Sequence, residues 1–354
     1  MKILYVGHFF IGSTVQHRVN GLRQLGFDVC CFNTDRYFPT QKRGTHNLWR
    51  RLCWGPPVWR LNADLLHEAE GVRPDVTIID KGLMVHPDTS RKLKSLKTIL
   101  IHYSHDDQFN PANQSRLYLA GIPLYDLHIT TKSYNVEELR QAGATKVVFQ
   151  DNGFDPSVFY PREVSSIDRQ RLGSRVGFIG EWEKERAESI FYLAQHGVFV
   201  RVWGPGWKGH RELNHPNIKI EGKGLWGEDY PLAISATDIN LCFLRKINRD
   251  LQTTRSLEIP ACGGFMLAER TDEHRRLFEE DKEAIFFSFN DELLEKVIYY
   301  TNHEEERQEI AQAGLARCYS GGYSFEKRFI WLVKDSFMRI QEEKKTIFNC
   351  QSYT

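Results

Sequence analysis

The sequence predicts an α/β protein made of two doubly wound, Rossmann-like halves, and three observations carry that prediction. Short apolar runs alternate with amphipathic helical stretches, the pattern of βαβ units and parallel sheets. The alternation breaks once, at a polar, proline-bearing stretch from Asp155 to about Ser174, and then restarts. The length of 354 residues suits two domains, each large enough to bury a core of its own.

In the first half, strands are expected at Lys2–Val6 and Asp28–Phe32, flanking a helix from about Val15 to Leu25 that Gly26 ends. Further strands are expected at Val76–Ile79, Thr98–His102, Leu127–Thr130 and Lys146–Phe149. The run from Arg73 to Asp80 reads as a buried parallel strand entered through a proline turn. The stretch 155–174 reads as the linker. The second series has strands at Arg175–Ile179, Val198–Trp203, Ile218–Glu221, Ile239–Phe243, Gly264–Leu267 and Ala284–Phe287. Helices are expected at Glu183–Gln195 and Asp291–Thr301, and a further one opens at Asn302, capped by its side chain with Glu305 reaching back. A last helix carries an apolar stripe of Phe325, Phe329, Leu332, Val333, Phe337 and Ile340. The domain division is therefore 1–155, with the last helix at about 325–354 to be placed, and 156–324.

Composition removes several function classes. With 47 Lys and Arg against 46 Asp and Glu, a net charge of +1 gives no broad attraction to nucleic acid. No apolar run approaches the roughly 20 residues of a membrane span. The first residues read as a strand rather than a signal peptide. Seven cysteines without C-x-x-C spacing argue against structural zinc and a disulfide framework, so a reducing cytoplasm is the expected location.

Five segments have the residue types of a binding site. The turn Gly7–Thr14, with Gly12, Ser13 and Thr14, places backbone N–H groups at a helix start where an anion is favoured; Arg18 one turn on either faces the same opening or is a solvated charge beside a turn that Gly12 simply makes. Its spacing is neither G-x-G-x-x-G nor a P-loop. At the end of a strand, His102, His105, Asp106 and Asp107 have the chemistry to hold sugar hydroxyls or move protons. Their H-x-x-H-D spacing lacks the fixed geometry of a helical metal pair, so sugar or acceptor contacts come first, a solvated polar loop second and a metal last, and no metal is expected.

In the second half, the glycine turn at Gly180 leads into a helix with Lys184 and Arg186 in its first turn, where cations oppose the macrodipole unless an anionic ligand meets them. Gly204-Pro205-Gly206-Trp207 offers an aromatic for packing on a flat ring. Asp250 to Phe265 places Arg255 and Glu258 one helical turn apart before the Gly263–Gly264 turn; a carboxylate so placed can accept both ribose hydroxyls of a nucleotide. The segment 42–60 interleaves Lys42, Arg43, Arg50, Arg51 and Arg60 with Trp49, Trp54 and Trp59. It reads first as packing, with an acceptor-binding loop or a peripheral contact with an anionic membrane face as alternatives.

Asn152-Gly153-Phe154-Asp155…Phe159-Tyr160-Pro161 resembles the hinge signature of GT-B glycosyltransferases of the group-1, family-4 kind. With Gly177–Arg186, Gly204–Trp207 and Arg255–Phe265, the second half is similar to their spore-maturation-protein (CgeB-like) branch. The resemblance covers most of 150–330 and is thin over 1–150. It implies two Rossmann-like domains facing across a cleft, a terminal helix crossing back to the first, and a nucleotide-sugar held mainly by the second. It also implies Glu258 on the ribose, Asp250 near the donor sugar, Lys184 or Arg186 with Arg255 on the phosphates, and His102 or His105 touching the sugar. Two departures stand out: the first acidic position of the family's E-x7-E motif is Asp250, a methylene shorter, and Gly322-Tyr323-Ser324 replaces the usual His-Thr-Tyr.

The function so implied is sugar transfer from a UDP- or GDP-sugar to a hydroxyl acceptor, with retention and with neither metal nor cofactor. A nucleotide-sugar 2-epimerase and a non-catalytic sugar-nucleotide binder are the alternatives.

Overall fold

The computed structural model describes residues 1–10, 12–38, 45–210 and 213–331. The chain divides into two units, Met1–Asp151 with the helix Phe325–Trp331, and Asn152–Ser324.

The first unit has six strands, β1 (Lys2–Gly7), β2 (Asp28–Asn33), β3 (Val76–Asp80), β4 (Ile99–Ser104), β5 (Leu127–Thr130) and β6 (Val147–Phe149), parallel in the order β2-β1-β3-β4-β5-β6. Side-chain alternation along each strand feeds two cores. Ile3 and Tyr5 face Val15, Val19 and Leu22 of the helix Thr14–Gln24, while Leu4 and Val6 face Leu61, Leu65 and Ala69 of the helix Pro56–Val72. β3 and β4 are buried along their whole length, which explains their continuous apolar runs.

The second unit repeats the plan with β7 (Ser174–Ile179), β8 (Val200–Trp203), β9 (Ile218–Ile220), β10 (Thr237–Cys242), β11 (Met266–Glu269) and β12 (Ile285–Phe287), parallel in the order β12-β11-β10-β7-β8-β9. Val176, Phe178, Ile239 and Leu241 pack on Ile190, Leu193, Leu293 and Val297 on one face. Leu257, Ile259, Met266, Phe286 and Cys318 fill the other.

Every expected strand is present, with ends moved by a few residues. Two expectations change. The stretch read as a linker is largely committed to the second unit: Phe154 and Phe159 lie in its core, and Ser166–Leu172 is a helix whose Ser165 side chain accepts from the Asp168 N–H. Asn302 does not cap a new helix. It is the last residue of the helix Asn290–Asn302, its Nδ2 donates to the Ile298 carbonyl, and the break falls at His303 before the helix Glu304–Ser320. Three glutamates in that helix's first turn suit its dipole without a side-chain cap.

The last helix goes where the resemblance implies. Phe325 and Phe329 pack into the first unit's core against the helix Thr14–Gln24, so the chain does return to its starting unit. Leu332, Val333, Phe337 and Ile340 lie outside the described residues. The return is seated on Gly21, where a Cβ would stand 2.9 Å from the Glu326 backbone nitrogen and from the Phe325 Cβ.

A backbone atom cannot swing aside as a side-chain tip can. Gly21→Val is therefore expected to cost about 1–3 kcal/mol, read as a lower urea midpoint at unchanged m-value. Gly71→Ala, in a helix with nothing within 4 Å of the new methyl, should instead hold or raise the midpoint.

Candidate functional site

In open parallel sheets, ligands bind beyond the carboxyl ends of the strands where the strand order reverses. That point lies between β7 and β10 in the second unit and between β1 and β3 in the first.

At the second unit's reversal, β7 runs into Gly180 and β8 into Gly204. The two turns touch: the Gly180 N–H donates to the Trp203 carbonyl at 2.8 Å, and a Cβ on Gly204 (φ 149°) would fall 1.8 Å from the Gly180 oxygen. Trp207 folds back beneath them. It is 1% exposed, packs in the core and donates its Nε1–H to the Gly180 carbonyl at 2.8 Å, so it offers no ring face to a ligand. Gly180, Gly204, Gly263 and Gly264 shape close turns. A Cβ on Gly264 would meet Ile234 at 2.8 Å, and Gly263 ends the helix Arg255–Ala261 with φ 70°.

Two arginines reach this edge. Arg186, 2% exposed, donates from Nε to the Leu244 carbonyl (3.2 Å) and from Nη1 to the Glu181 carbonyl (3.0 Å). Arg255 donates from Nη2 to the Phe243 carbonyl at 3.2 Å. Both guanidinium carbons lie 5.6 Å from the centre of the Phe178 ring. Neither has a carboxylate among its hydrogen-bond acceptors, and Arg186 Nη2 and Arg255 Nε are buried without an acceptor. Burial, and then the neighbouring Arg255 charge, lowers the Arg186 pKa to about 10. Lys184 is different: it is exposed and pairs with Glu188 at 3.6 Å across one helical turn.

Glu258 follows Arg255 on the same helix. It is 4% exposed and accepts a 2.7 Å hydrogen bond from the Tyr230 hydroxyl. Asp250, also buried, accepts from Asn248 Nδ2 at 2.7 Å. Tyr230 was not visible in the sequence as a site residue, since nothing local to it signals the approach of a helix 28 residues later.

The first unit's reversal is filled. Arg18 does not face an opening: it is 1% exposed, and its Nη2 and Nε donate to Asp80 at 2.6 and 3.1 Å. Its Nε also donates to the Tyr5 hydroxyl (2.9 Å) and its Nη1 to Thr14 Oγ1 (2.8 Å). Burial works against the Asp80 charge, but Arg18, His105 and Tyr5 together outweigh it and hold the carboxyl well below its usual range. Thr14 is thus taken up by Arg18. Ser13 caps its helix, accepting from the Val15 N–H and donating to the His8 carbonyl, while Gly12 makes the turn with φ 87°. Arg18 is thus neither at an opening nor a solvated charge, and the Ser13 and Thr14 hydroxyls are engaged within the protein.

His105 is about a quarter exposed, with Nδ1 3.3 Å from Asp80 and Nε2 3.7 Å from Asp106. Lys81 pairs with Asp106 at 2.5 Å. The sequence reading named His105 and Asp106 but missed Asp80 and Lys81; a polar pair closing a fully buried strand was the available signal. His102 is not part of this group. It is fully buried, with Nε2 3.1 Å from the Lys81 carbonyl and Nδ1 3.2 Å from Nδ1 of His128, whose Nε2 lies 2.9 Å from the Ile122 carbonyl. The H-x-x-H pair therefore does not converge. Among the described residues no group of three His, Cys, Asp or Glu side chains is placed to hold a metal ion.

Comparison with known proteins bears on the fold. A family model described as glycosyl transferase-like matches residues 185–333. The search of curated proteins gives no match. Among solved structures, Anabaena HepE in complex with UDP-glucose is similar at TM-score 0.64 and 15% identity, covering 98% of this chain and 100% of that one. Sucrose-phosphate synthase from Thermosynechococcus elongatus is similar at TM-score 0.65 and 10% identity, over 99% and 100%. A trehalose-6-phosphate synthase, an enzyme of glycosyl transfer with retention, is similar at TM-score 0.64 and 12% identity, over 95% and 98%. The fold is that of GT-B glycosyltransferases.

Three rings are buried and held neutral: burial lowers His102 to about 3, aided by His128, and lowers His128 and His274 to about 4. Above pH 7 these rings are neutral folded and unfolded, so they add no pH dependence. Below about 6.5 the unfolded chain takes protons that the fold refuses, and stability falls by up to about 1.4 kcal/mol per ring per pH unit. Urea midpoints at pH 7.5 and pH 5 should therefore diverge, and His274→Gln should reduce the divergence by one ring's share.

Proposed function

We propose that the protein is a glycosyltransferase that moves a sugar from a UDP- or GDP-sugar to a hydroxyl acceptor, with retention of anomeric configuration, in the synthesis of a glycan, surface polysaccharide or glycoconjugate. One observation carries the reading: Arg186 and Arg255 are held side by side against Phe178, each with a buried N–H lacking an acceptor, at the point where an open parallel sheet binds its ligand. Two like charges in that position suit a diphosphate.

The chemistry follows from the charges. The bond between the sugar's anomeric carbon and the diphosphate oxygen breaks, and the electron pair leaves with the diphosphate. The acceptor oxygen bonds to the anomeric carbon and gives up its proton. Guanidinium groups already fixed where the diphosphate charge grows stabilise the transition state without reorganisation. In this reading they supply the charge that a metal would otherwise bring.

Glu258 accepts the ribose hydroxyls, exchanging its bond with Tyr230 for them, and Asp250 contacts the donor sugar. His105, oriented by Asp80, is the group suited to hold a hydroxyl or receive a proton. Retention is supported by the resemblance to family-4 enzymes and by the likeness to the retaining trehalose-6-phosphate synthase.

The test begins with a thermal-shift panel of nucleoside diphosphates; one at 100 times its Kd should stabilise by about 2.7 kcal/mol. Arg255→Gln should abolish the shift, and Glu258→Ala should lower the transfer rate about 10²–10³-fold with the cognate donor. Full activity of Glu258→Ala would remove the reading. Turnover of nucleotide-sugar to an epimer without acceptor would replace it with an epimerase, and binding without turnover would replace it with a binding protein.

A further inference from the structure

The helical hairpin formed by Thr45–Leu52 and the start of Pro56–Val72 has a surface that the sugar-transfer reading does not use. Trp49 anchors it from within: its ring lies so close to Gly55 (φ 107°) that a Cβ there would be 2.6 Å from Trp49 Cδ1, and its carbonyl accepts the Trp54 N–H at 3.1 Å. With Trp49 turned to the bend, the other large apolar groups point out. Leu48 is 54% exposed, Leu52 59%, Trp54 56% and Trp59 48%, and the Trp54 and Trp59 rings meet edge to face at 5.2 Å. Among the described residues only three tryptophans are exposed, and two of them are here.

Charge on this hairpin is one-sided. From Gln41 to Ala63 the sequence holds Lys42, Arg43, Arg50, Arg51 and Arg60 and no Asp or Glu. Taking those five from the chain's 47 Lys and Arg leaves 42 against 46 Asp and Glu, so the rest of the protein is net acidic. Arg50, Arg51 and Arg60 are exposed, whereas Lys42 and Arg43 lie outside the described residues. The first carboxylate, Asp64, already faces Arg60 at 3.7 Å and Arg36 at 3.9 Å and accepts from the Tyr37 hydroxyl at 2.7 Å.

We propose that this hairpin docks the protein on an anionic phospholipid surface, with Leu48, Leu52, Trp54 and Trp59 entering the headgroup boundary and the arginines on the lipid phosphates. Amphipathic rings favour that boundary, and nearby basic residues add attraction to anionic lipid. A second copy of the chain fits less well, because a two-fold contact would set this patch against itself and bring like charges together. The proposal does not depend on the sugar-transfer reading.

The experiment is co-sedimentation of the full chain with vesicles of phosphatidylcholine alone and of phosphatidylcholine with about one-third phosphatidylglycerol. The expected result is binding to the anionic vesicles only, lost near 1 M salt, where the screening length falls to about 3 Å. Arg50→Gln with Arg51→Gln should weaken it about 25-fold, roughly fivefold for each arginine. Trp54→Ser with Trp59→Ser should weaken it at least about tenfold. These groups are exposed, so melting temperature and the nucleoside-diphosphate thermal shift should stay at wild-type values in both variants, which separates this test from that of the sugar-transfer reading. No binding to either vesicle, equal binding to both, or a concentration-dependent dimer abolished by the tryptophan variant would each overturn the proposal.

Discussion

The second unit's ligand edge is governed by an unpaired charge. Arg186 is almost fully buried, yet its acceptors are two backbone carbonyls, and the charge nearest its own that matters most is another arginine. Lowering an arginine's pKa from 12.5 to about 10 corresponds to a strain on the order of 3 kcal/mol on its charged form. A fold that wanted only stability would place a carboxylate there or remove the charge. The surrounding structure is consistent with the second requirement, that nothing of the protein's own fill the space: Gly180 and Gly204 allow two turns to touch, Trp207 tucks beneath them, and Glu183 spends its carboxylate on Arg245 and the Lys246 N–H rather than on Arg186.

The first unit shows the opposite solution on the same topology. Arg18 also follows a glycine turn after the unit's first strand, but Asp80 arrives from the end of β3 and takes two of its N–H groups, while Tyr5 and Thr14 take the remainder of its reach. Removing one partner of such a buried pair typically costs about 3–5 kcal/mol. Arg18 is thus part of the scaffold, and its effect on chemistry passes through Asp80 to His105. The two arginines look alike in sequence; what separates them is a carboxylate 62 residues away.

That contrast marks what the sequence could tell. Strand content and the existence of two α/β halves follow from local periodicity and glycine placement and were legible; the apolar stripe of the last helix was legible too, but its return to the first unit was implied only by the family resemblance, because a stripe does not say which core will cover it. Glu258, Arg255 and Arg186 could be singled out together because they lie at the ends of elements whose type was already clear. His102 was misplaced for a reason that was available: in Ile99–Ser104 it shares strand parity with Leu100, which packs in the core, whereas His105 lies one residue past the strand and escapes the alternation. Trp207 was misplaced because a Gly-Pro-Gly turn does not say on which side of itself the next ring will fall. Tyr230 depends on tertiary approach and carries no pattern of its own, whereas Asp80 and Lys81 were signalled only by being polar at the end of a fully buried strand.

The pairing of the two edges also bears on which one a charged ligand can use. An anion approaching the first unit's reversal meets a guanidinium whose donors are directed at Asp80, and that carboxylate is held ionised. To bind there it would have to displace the carboxylate and leave a buried negative charge uncompensated. At the second unit's reversal an anion displaces nothing: it meets two donors without acceptors and relieves the repulsion between the cations that carry them. Binding energy gained this way is largest when the ligand's own charge is largest, which for a nucleotide-sugar is after the sugar has begun to leave. In the proposed sugar transfer, the same unpaired arginines that cost the free protein stability would favour the departing diphosphate over the intact donor, and such a difference is what lowers a barrier.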